Sequence, residues 1–315
     1  MKGETLNKDM KTLIIGGTGY IGSRLYKEMI CDYEVDTVDL EWFGNNVNSN
    51  NYKMDFRELT ENFLSCYDVV ILLAGHSSVG MCQKDMISSF NNNVLNFIHI
   101  LEKLRKISKL KPLKFIYASS SSVYGNKHMH ISSETEEEFT PHNYYDLTKH
   151  VIDQYAKLSE SLEYYGLRFG TVNGASPTIR NDIMINAMFE SAKNNNSVKY
   201  SNPQNYRPIL DISDLVNAVK TIIKCGKYEK RGLYNIISFN ESVFNIAKRV
   251  SDILKVDIIE NVSNNIYSFS ASNEKFSKVF DFCFKGSIES IVGDIDKSED
   301  AYKYSNNRLI PFKYD

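Results

Sequence analysis

The sequence predicts an α/β protein, a doubly wound parallel sheet followed by a smaller mixed α/β lobe towards the C-terminus. Three observations carry this. Short apolar runs alternate with segments of helical periodicity through the first half of the 315-residue chain. A glycine-rich turn joins the first run to the first helical segment. Beyond about residue 171 the alternation loosens, as it does where a second, less regular lobe begins.

Lys11 to Ile15 is apolar enough for a buried strand, and Tyr20 to Ile30 repeats with helical period. Val35 to Leu40 and Asp68 to Ala74 read as the next strands, marked by Asp39 and Gly75 at their ends. Asn91 to Ile107 sets Val94, Phe97, Ile98, Leu101 and Leu104 on one helix face. Lys114 to Ala118 is a strand, Tyr145 to Ser159 a helix and Tyr164 to Phe169 a strand. Such alternation implies parallel neighbours joined by crossovers. Farther on, Asn181 to Lys193, Asp214 to Lys224 and Ser242 to Leu254 read as helices, Pro208 to Ile212 as a short strand. Leu233 to Ile237 is apolar enough to return to the sheet. The expected division is a dinucleotide domain over 10–170 with returning elements near 205–237, and a substrate lobe from 171–204 and 238–315. Asn45 to Asn51, Asn194 to Asn196 and Asn261 to Asn265 read as loops, and no repeat is visible.

Composition is that of a globular protein, with 42% hydrophobic and 24% charged residues. A formal net charge of −2 gives no whole-chain reason to bind nucleic acid or an anionic membrane. Cys31, Cys66, Cys82, Cys225 and Cys283 are scattered, with no CxxC pair and no His at ligand spacing. They read as reduced thiols rather than a disulfide framework or a metal site. The apolar run Val69 to Ala74 is too short to span a bilayer, and Met1 to Met10 resembles neither signal peptide nor anchor. A cytoplasmic location is expected.

Gly16-Gly-Thr-Gly19-Tyr20-Ile21-Gly22 follows the first strand and opens the first helix. Glycines there permit a tight turn and let a pyrophosphate approach the backbone, on the N–H groups of the first helical turn. This makes the sheet Rossmann-type. Asp39, at the end of the next strand, can accept from ribose hydroxyls and would repel a 2′-phosphate, which favours NAD over NADP. A plain strand-end turn is the other reading of Asp39. Asp55 can hold the adenine amino group or serve as a solvated loop acid.

The chemistry is carried by Ser119-Ser120-Ser121-Ser122-Val123-Tyr124-Gly125 at a strand end and by Tyr145 and Lys149 on one helix face. An ammonium over a phenol lowers the phenol pKa and makes it a usable base. Ser120 can hydrogen-bond the same substrate oxygen and relay the proton. His128 and His130 could ligate a metal, but no second cluster supports it, and Glu136 to Glu138 reads as a solvated run. His76 either approaches a nicotinamide ribose or is a core histidine.

Together these motifs resemble the extended short-chain dehydrogenase/reductase family, which includes nucleotide-sugar epimerases and dehydratases. Val70 to Gly75 with Phe90 to Val94, Leu167 to Gly174, Arg207 to Asp214, Tyr234 to Ile236 and Lys275 to Phe282 extend the likeness over most of the chain. The resemblance implies Ser120, Tyr145 and Lys149 as catalytic residues. It implies Gly16, Gly19, Tyr20, Ile21, Gly22, Asp39, Asp55, Ala74 and Lys149 on NAD, and Ser121 and Arg207 on a nucleotide-diphosphate sugar. It further implies that helices Asn91 to Ile107 and Asp146 to Ser159 pair across a homodimer.

Departures narrow the reaction. The family's dehydratases and decarboxylases carry carboxylates where this chain has Ser121 and Ser122, so water elimination lacks its acid and base. Thr171 stands where an Asn is usual. A second phosphate-binding Arg is missing near Asn264, and Arg180 either replaces it by bidentate bonding or is a solvated loop Arg. The reading that results is 4-position hydride transfer on a nucleotide sugar, as an epimerase. Three alternatives stay open: a 4-keto reductase or 4-dehydrogenase with net cofactor turnover, a non-catalytic dinucleotide-binding sensor or scaffold, and a reductase of small carbonyl compounds.

Overall fold

The computed structural model describes residues 10–47, 51–226, 228–262 and 267–298. Asn264 lies outside them. In chain order the strands are β1 Lys11–Ile15, β2 Glu34–Val38, β3 Asn51–Tyr52, β4 Val69–Leu72, β5 Lys114–Ser120, β6 Ile131–Ser132, β7 Glu163–Phe169, β8 Thr171–Asn173, β9 Ser197–Tyr200, β10 Tyr206–Asp211, β11 Gly232–Ile236, β12 Phe239–Ser242, β13 Asp257–Glu260 and β14 Ser270–Ala271. The helices are α1 Tyr20–Met29, α2 Glu61–Leu64, α3 Val79–Lys84, α4 Met86–Phe90, α5 Asn96–Ile107, α6 Tyr144–Lys157, α7 Met184–Asn195, α8 Ile212–Lys224, α9 Val243–Leu254, α10 Glu274–Phe280 and α11 Ile288–Ser298.

The main sheet has order β11-β7-β5-β4-β1-β2-β3, parallel throughout. The chain winds from β1 outwards to β3, then crosses to β4 and winds the other way. The order reverses between β1 and β4, and a crevice opens at the carboxyl ends of strands on either side of such a point. Side-chain alternation serves both faces. Leu13 and Ile15 of β1 join Val70, Leu72, Phe115 and Tyr117 in a core under α5 and α6, whereas Ile14, Ile71, Ile116 and Leu167 pack towards α8 and the C-terminal lobe. Gly166 is forced: a Cβ there would sit 2.4 Å from the hydroxyl of Tyr117 on the neighbouring strand.

The remaining strands form three small sheets, β12-β10-β8, β13-β9 and β14-β6. β14-β6 ties the loop ahead of α6 to the C-terminal segment. Of the stretch expected to return to the sheet, β11 pairs with β7, while β10 pairs with β8 and β12 instead. The helix expected from Asn91 opens as a π turn over Asn91–Leu95 before α5 begins. All five cysteines are free thiols. Among the described residues no helix is long and apolar enough to cross a membrane.

Candidate active site

The glycine loop sits at the reversal point. Gly16 has φ +90°, and a Cβ on it would lie 2.5 Å from the Ala74 nitrogen at the end of β4. A Cβ on Gly22 would lie 2.0 Å from the Gly16 carbonyl oxygen, so loop and helix touch backbone to backbone. Gly19 caps α1 without any side-chain cap, and the first turn holds no acid. Its N–H groups therefore face the crevice, the arrangement that takes a diphosphate. Asp39 accepts from Thr18 N–H at 3.1 Å and Glu41 N–H at 2.8 Å. It braces the loop and keeps lone pairs for a ribose. The residues present fit a dinucleotide.

Several side chains of the expected cofactor residues are engaged within the protein. The Tyr20 side chain turns away from the loop and donates to the Gly174 carbonyl at 2.8 Å, leaving its backbone to serve the turn. Ile21 packs into the core beneath. Asp55 caps the short helix after it, taking Arg57 N–H at 2.9 Å and the Arg57 guanidinium at 2.6 Å. Burial pushes its carboxyl up, but the Arg57 bonds and charge outweigh that and hold it below the ordinary range. It caps that helix and, like Asp39, carries one such bond on each oxygen. His76 is buried, its ring on the Ser89 hydroxyl at 2.8 Å, and burial lowers its pKa.

At the other side of the crevice β5 ends in Ser120, and α6 brings Tyr145 in its first turn and Lys149 one turn on. Asn143 caps α6, its Oδ1 accepting from Asp146 N–H at 2.9 Å. Lys149 donates to the Ala118 carbonyl at 2.8 Å and stands 5.7 Å from the Tyr145 ring centroid. Tyr145 is partly exposed as a residue, but its phenol end is enclosed. Burial drives that phenol up to about 12, with the nearby Ser120 hydroxyl pulling the other way. The expected lowering by Lys149 is thus reversed, because desolvation dominates and the ammonium points to Ala118. Burial also lowers Lys149, to about 8.

Ser121 faces away from the crevice, donating to the Phe169 carbonyl at 2.9 Å, and so is not placed for substrate. Arg180 spends its fork on Asp182, at 3.0 and 2.7 Å. Its charge acts on the Tyr145 and Tyr20 phenols. Arg207 donates to the Tyr206 and Tyr267 carbonyls and lies over the Tyr267 and Phe269 rings, 5.5 and 5.8 Å from their centroids. Burial lowers its pKa, and among the described residues no carboxylate pairs with it. His128 and His130 bond Ser268 and Glu136, and Glu136 also pairs with Lys127 at 2.6 Å, so it is no solvated acid. Among the described residues no group of His, Cys, Asp and Glu could hold a metal ion. A cavity of about 820 Å³ lined by Asp211, Asp214 and Asp294 contains none of these catalytic positions.

Three residues escaped the sequence reading. Asn93, in the π turn, accepts from His76 N–H at 2.8 Å and donates to the His76 carbonyl and the Thr148 hydroxyl, at 3.1 and 3.2 Å. It ties the end of β4 to α6 beside Lys149. Its signal was a polar residue inside an apolar helix face. Tyr267 donates to the Ser122 carbonyl at 2.9 Å and Asp146 at 3.1 Å, and nothing local in the sequence marks it. Asp146 is fully buried beneath the serine loop.

A glycine cradle at the strand reversal, with a Ser, Tyr and Lys on the facing wall, defines a dinucleotide-dependent oxidoreductase-type site. The model of the NAD dependent epimerase/dehydratase family matches residues 12–236, and the chain belongs to that family. NAD is its cofactor. The chain is 29% identical over 285 residues to the dTDP-D-glucose 4,6-dehydratase of Dictyostelium discoideum, covering 78% of this chain and 64% of that protein. It is 29% identical over 180 residues to the UDP-glucose 4-epimerase of Lactobacillus helveticus, covering 53% of each. The chain thus spans less than two thirds of either relative. The UDP-glucuronic acid 4-epimerase of Bacillus cereus, solved with UDP-glucuronic acid and NAD, shares the fold at TM-score 0.82 and 22% identity, covering 93% of this chain and 100% of that one.

Proposed function

We propose that the protein is an epimerase acting at the 4-position of a nucleotide-diphosphate sugar, with Tyr145 as the acid/base. The observation that carries this is the meeting of Ser120, Tyr145 and Lys149 across from the glycine loop, with serines where an eliminating enzyme needs carboxylates. Bound NAD supplies the hydride acceptor and a positive charge that opposes the effect of burial on the phenol. Tyr145 takes the proton of the 4-hydroxyl, and Ser120 hydrogen-bonds the same oxygen. Lys149, pinned to Ala118, holds the ribose and keeps a positive charge under the phenol. Tyr145 returns the proton when the 4-keto sugar is reduced on its opposite face. Arg207, half-buried and with no carboxylate paired to it among the described residues, takes the diphosphate. Arg180 approaches the sugar.

The named relatives act on, or were solved with, dTDP- and UDP-linked sugars, so these are the first substrates to offer. Helix α5 with the outer face of α6 serves as the surface on which two copies pair. The experiment is NAD content of the protein as purified, followed by incubation with UDP-glucose, UDP-glucuronic acid and dTDP-glucose and product analysis by NMR. Retained NAD and a 4-epimer without net NADH support the proposal. Freely exchanging cofactor with stoichiometric NADH formation replaces it with a net dehydrogenase.

A further inference from the structure

Trp42 is the chain's only tryptophan, and it stands 40% exposed in the loop that follows β2. Its indole reaches across to the other side of the crevice, with its centroid 6.4 Å from the ring of His76, past the end of β4. The sheet order is β4-β1-β2, so β1 and its glycine loop stand between the two. Neighbouring strands lie about 4.8 Å apart, which puts about 10 Å between the ends of β2 and β4. The glycine loop itself abuts the β4 end, where a Cβ on Gly16 would lie 2.5 Å from the Ala74 nitrogen. An indole rooted on the β2 side comes that close to His76 only by lying across the end of β1.

The backbone builds this reach. Asp39 accepts from Thr18 N–H on one oxygen and from Glu41 N–H on the other, so residues 40–47 start out bonded to the glycine loop. Glu41 takes φ +58°, a left-handed conformation that is costly for a residue with a Cβ. Its carboxylate holds the turn, accepting from Asn45 Nδ2 at 3.1 Å and Asn51 Nδ2 at 3.0 Å and pairing with Lys53 at 3.2 Å. Farther along, Asn46 Nδ2 donates to the Thr178 hydroxyl at 3.0 Å, on the loop beyond β8. The segment is thus fastened on both walls of the crevice. A costly backbone turn kept in place by surrounding bonds points to a function, and packing on His76 alone does not call for it.

We propose that Trp42 is a cofactor-binding residue whose indole covers the NAD diphosphate and slows release of the dinucleotide. The N–H groups of the first turn of α1 hold the phosphates from one side. An apolar face on the other side keeps water from those bonds, and their electrostatic attraction gains strength as water is excluded. The inference rests on NAD binding and not on the reading of the reaction.

The single tryptophan makes the test direct. Tryptophan emission of the full chain is quenched with acrylamide, with and without saturating NAD⁺. The quenching constant should fall by about twofold or more with NAD⁺, as expected where a pocket encloses most of its ligand's surface. An unchanged constant overturns the proposal. In a second measurement the protein loaded with NAD⁺ is chased with excess NADH, and exchange is followed by nicotinamide fluorescence. Trp42→Ala should exchange about tenfold faster or more than the native chain, the change for losing one aromatic cover. Trp42→Phe keeps an aromatic face and should stay within about threefold of the native rate. Equal rates in the native chain and Trp42→Ala overturn the proposal, and so does a Trp42→Phe variant as fast as Trp42→Ala. If Trp42→Ala fails to fold, the acrylamide measurement on the native chain decides alone.

Discussion

Replacing Asp153 with Ala strikes the buried ion pair on which helix α6 is seated. Arg168 is fully buried, its Nε 2.7 Å from Asp153 Oδ2 and its Nη1 2.8 Å from the Tyr124 hydroxyl, and Asp153 Oδ1 takes the Tyr117 hydroxyl at 3.1 Å. Truncation leaves the guanidinium without its carboxylate and Tyr117 without its acceptor. Breaking such a pair from one side costs about 3–5 kcal/mol. At ~2.1 cal/mol/K per residue over 315 residues the unfolding entropy is about 0.7 kcal/mol/K, so Tm falls by about 5–8 °C. Scanning calorimetry on Asp153→Ala and on the double variant Asp153→Leu with Arg168→Met checks both magnitude and cause. The double variant recovers most of the loss, because no unpaired charge remains. A fall below about 2 °C in the single variant, or a double variant no better than it, refutes the reasoning.

Lys149, lowered to about 8 by burial, carries a stability cost below that pH. The unfolded chain binds more protons between about pH 8 and about pH 10.5, so stability rises across that window. Lys149→Met should therefore exceed the native protein in stability by about 3 kcal/mol below pH 8, the advantage fading towards pH 10.5; urea midpoints at the two ends check it. Gly22→Ala drives a Cβ to 2.0 Å from the Gly16 carbonyl oxygen, which cannot yield without moving the loop. NAD affinity by calorimetry should fall by about tenfold or more, for overpacking of about 1–3 kcal/mol. Arg207→Ala should weaken UDP binding by about 1.5–3 kcal/mol, the range for a lost charge-assisted contact, with NAD binding unchanged; equal UDP affinity would remove Arg207 from the diphosphate.

The sheet was legible because its strands are buried on both faces and read as unbroken apolar runs, as Val69–Leu72 does. The glycine cradle and the Ser120, Tyr145 and Lys149 positions were legible because turn geometry and helical spacing are local. Charge and burial were not. The phenol of Tyr145 could be read as lowered by Lys149 from spacing alone, but whether burial outweighs that charge depends on what encloses it. Arg180 was open because Asp182, two residues on, competes for its fork. Tyr267 reaches Asp146 across 121 residues of sequence, and no local pattern announces such a contact. The π turn at Asn91–Leu95 hides in a helical period and yet aims Asn93 at His76 and Thr148.

The central claim, that Tyr145 reverses a 4-carbinol by internal hydride return, is tested most directly by isotope retention. The NAD-bound protein is incubated in D₂O with the nucleotide sugar it turns over, and the products are read by NMR and mass spectrometry. The account predicts a 4-epimer with no deuterium at C4, and no product at all from Tyr145→Phe. Loss of water from the sugar, or turnover that survives Tyr145→Phe, would contradict it.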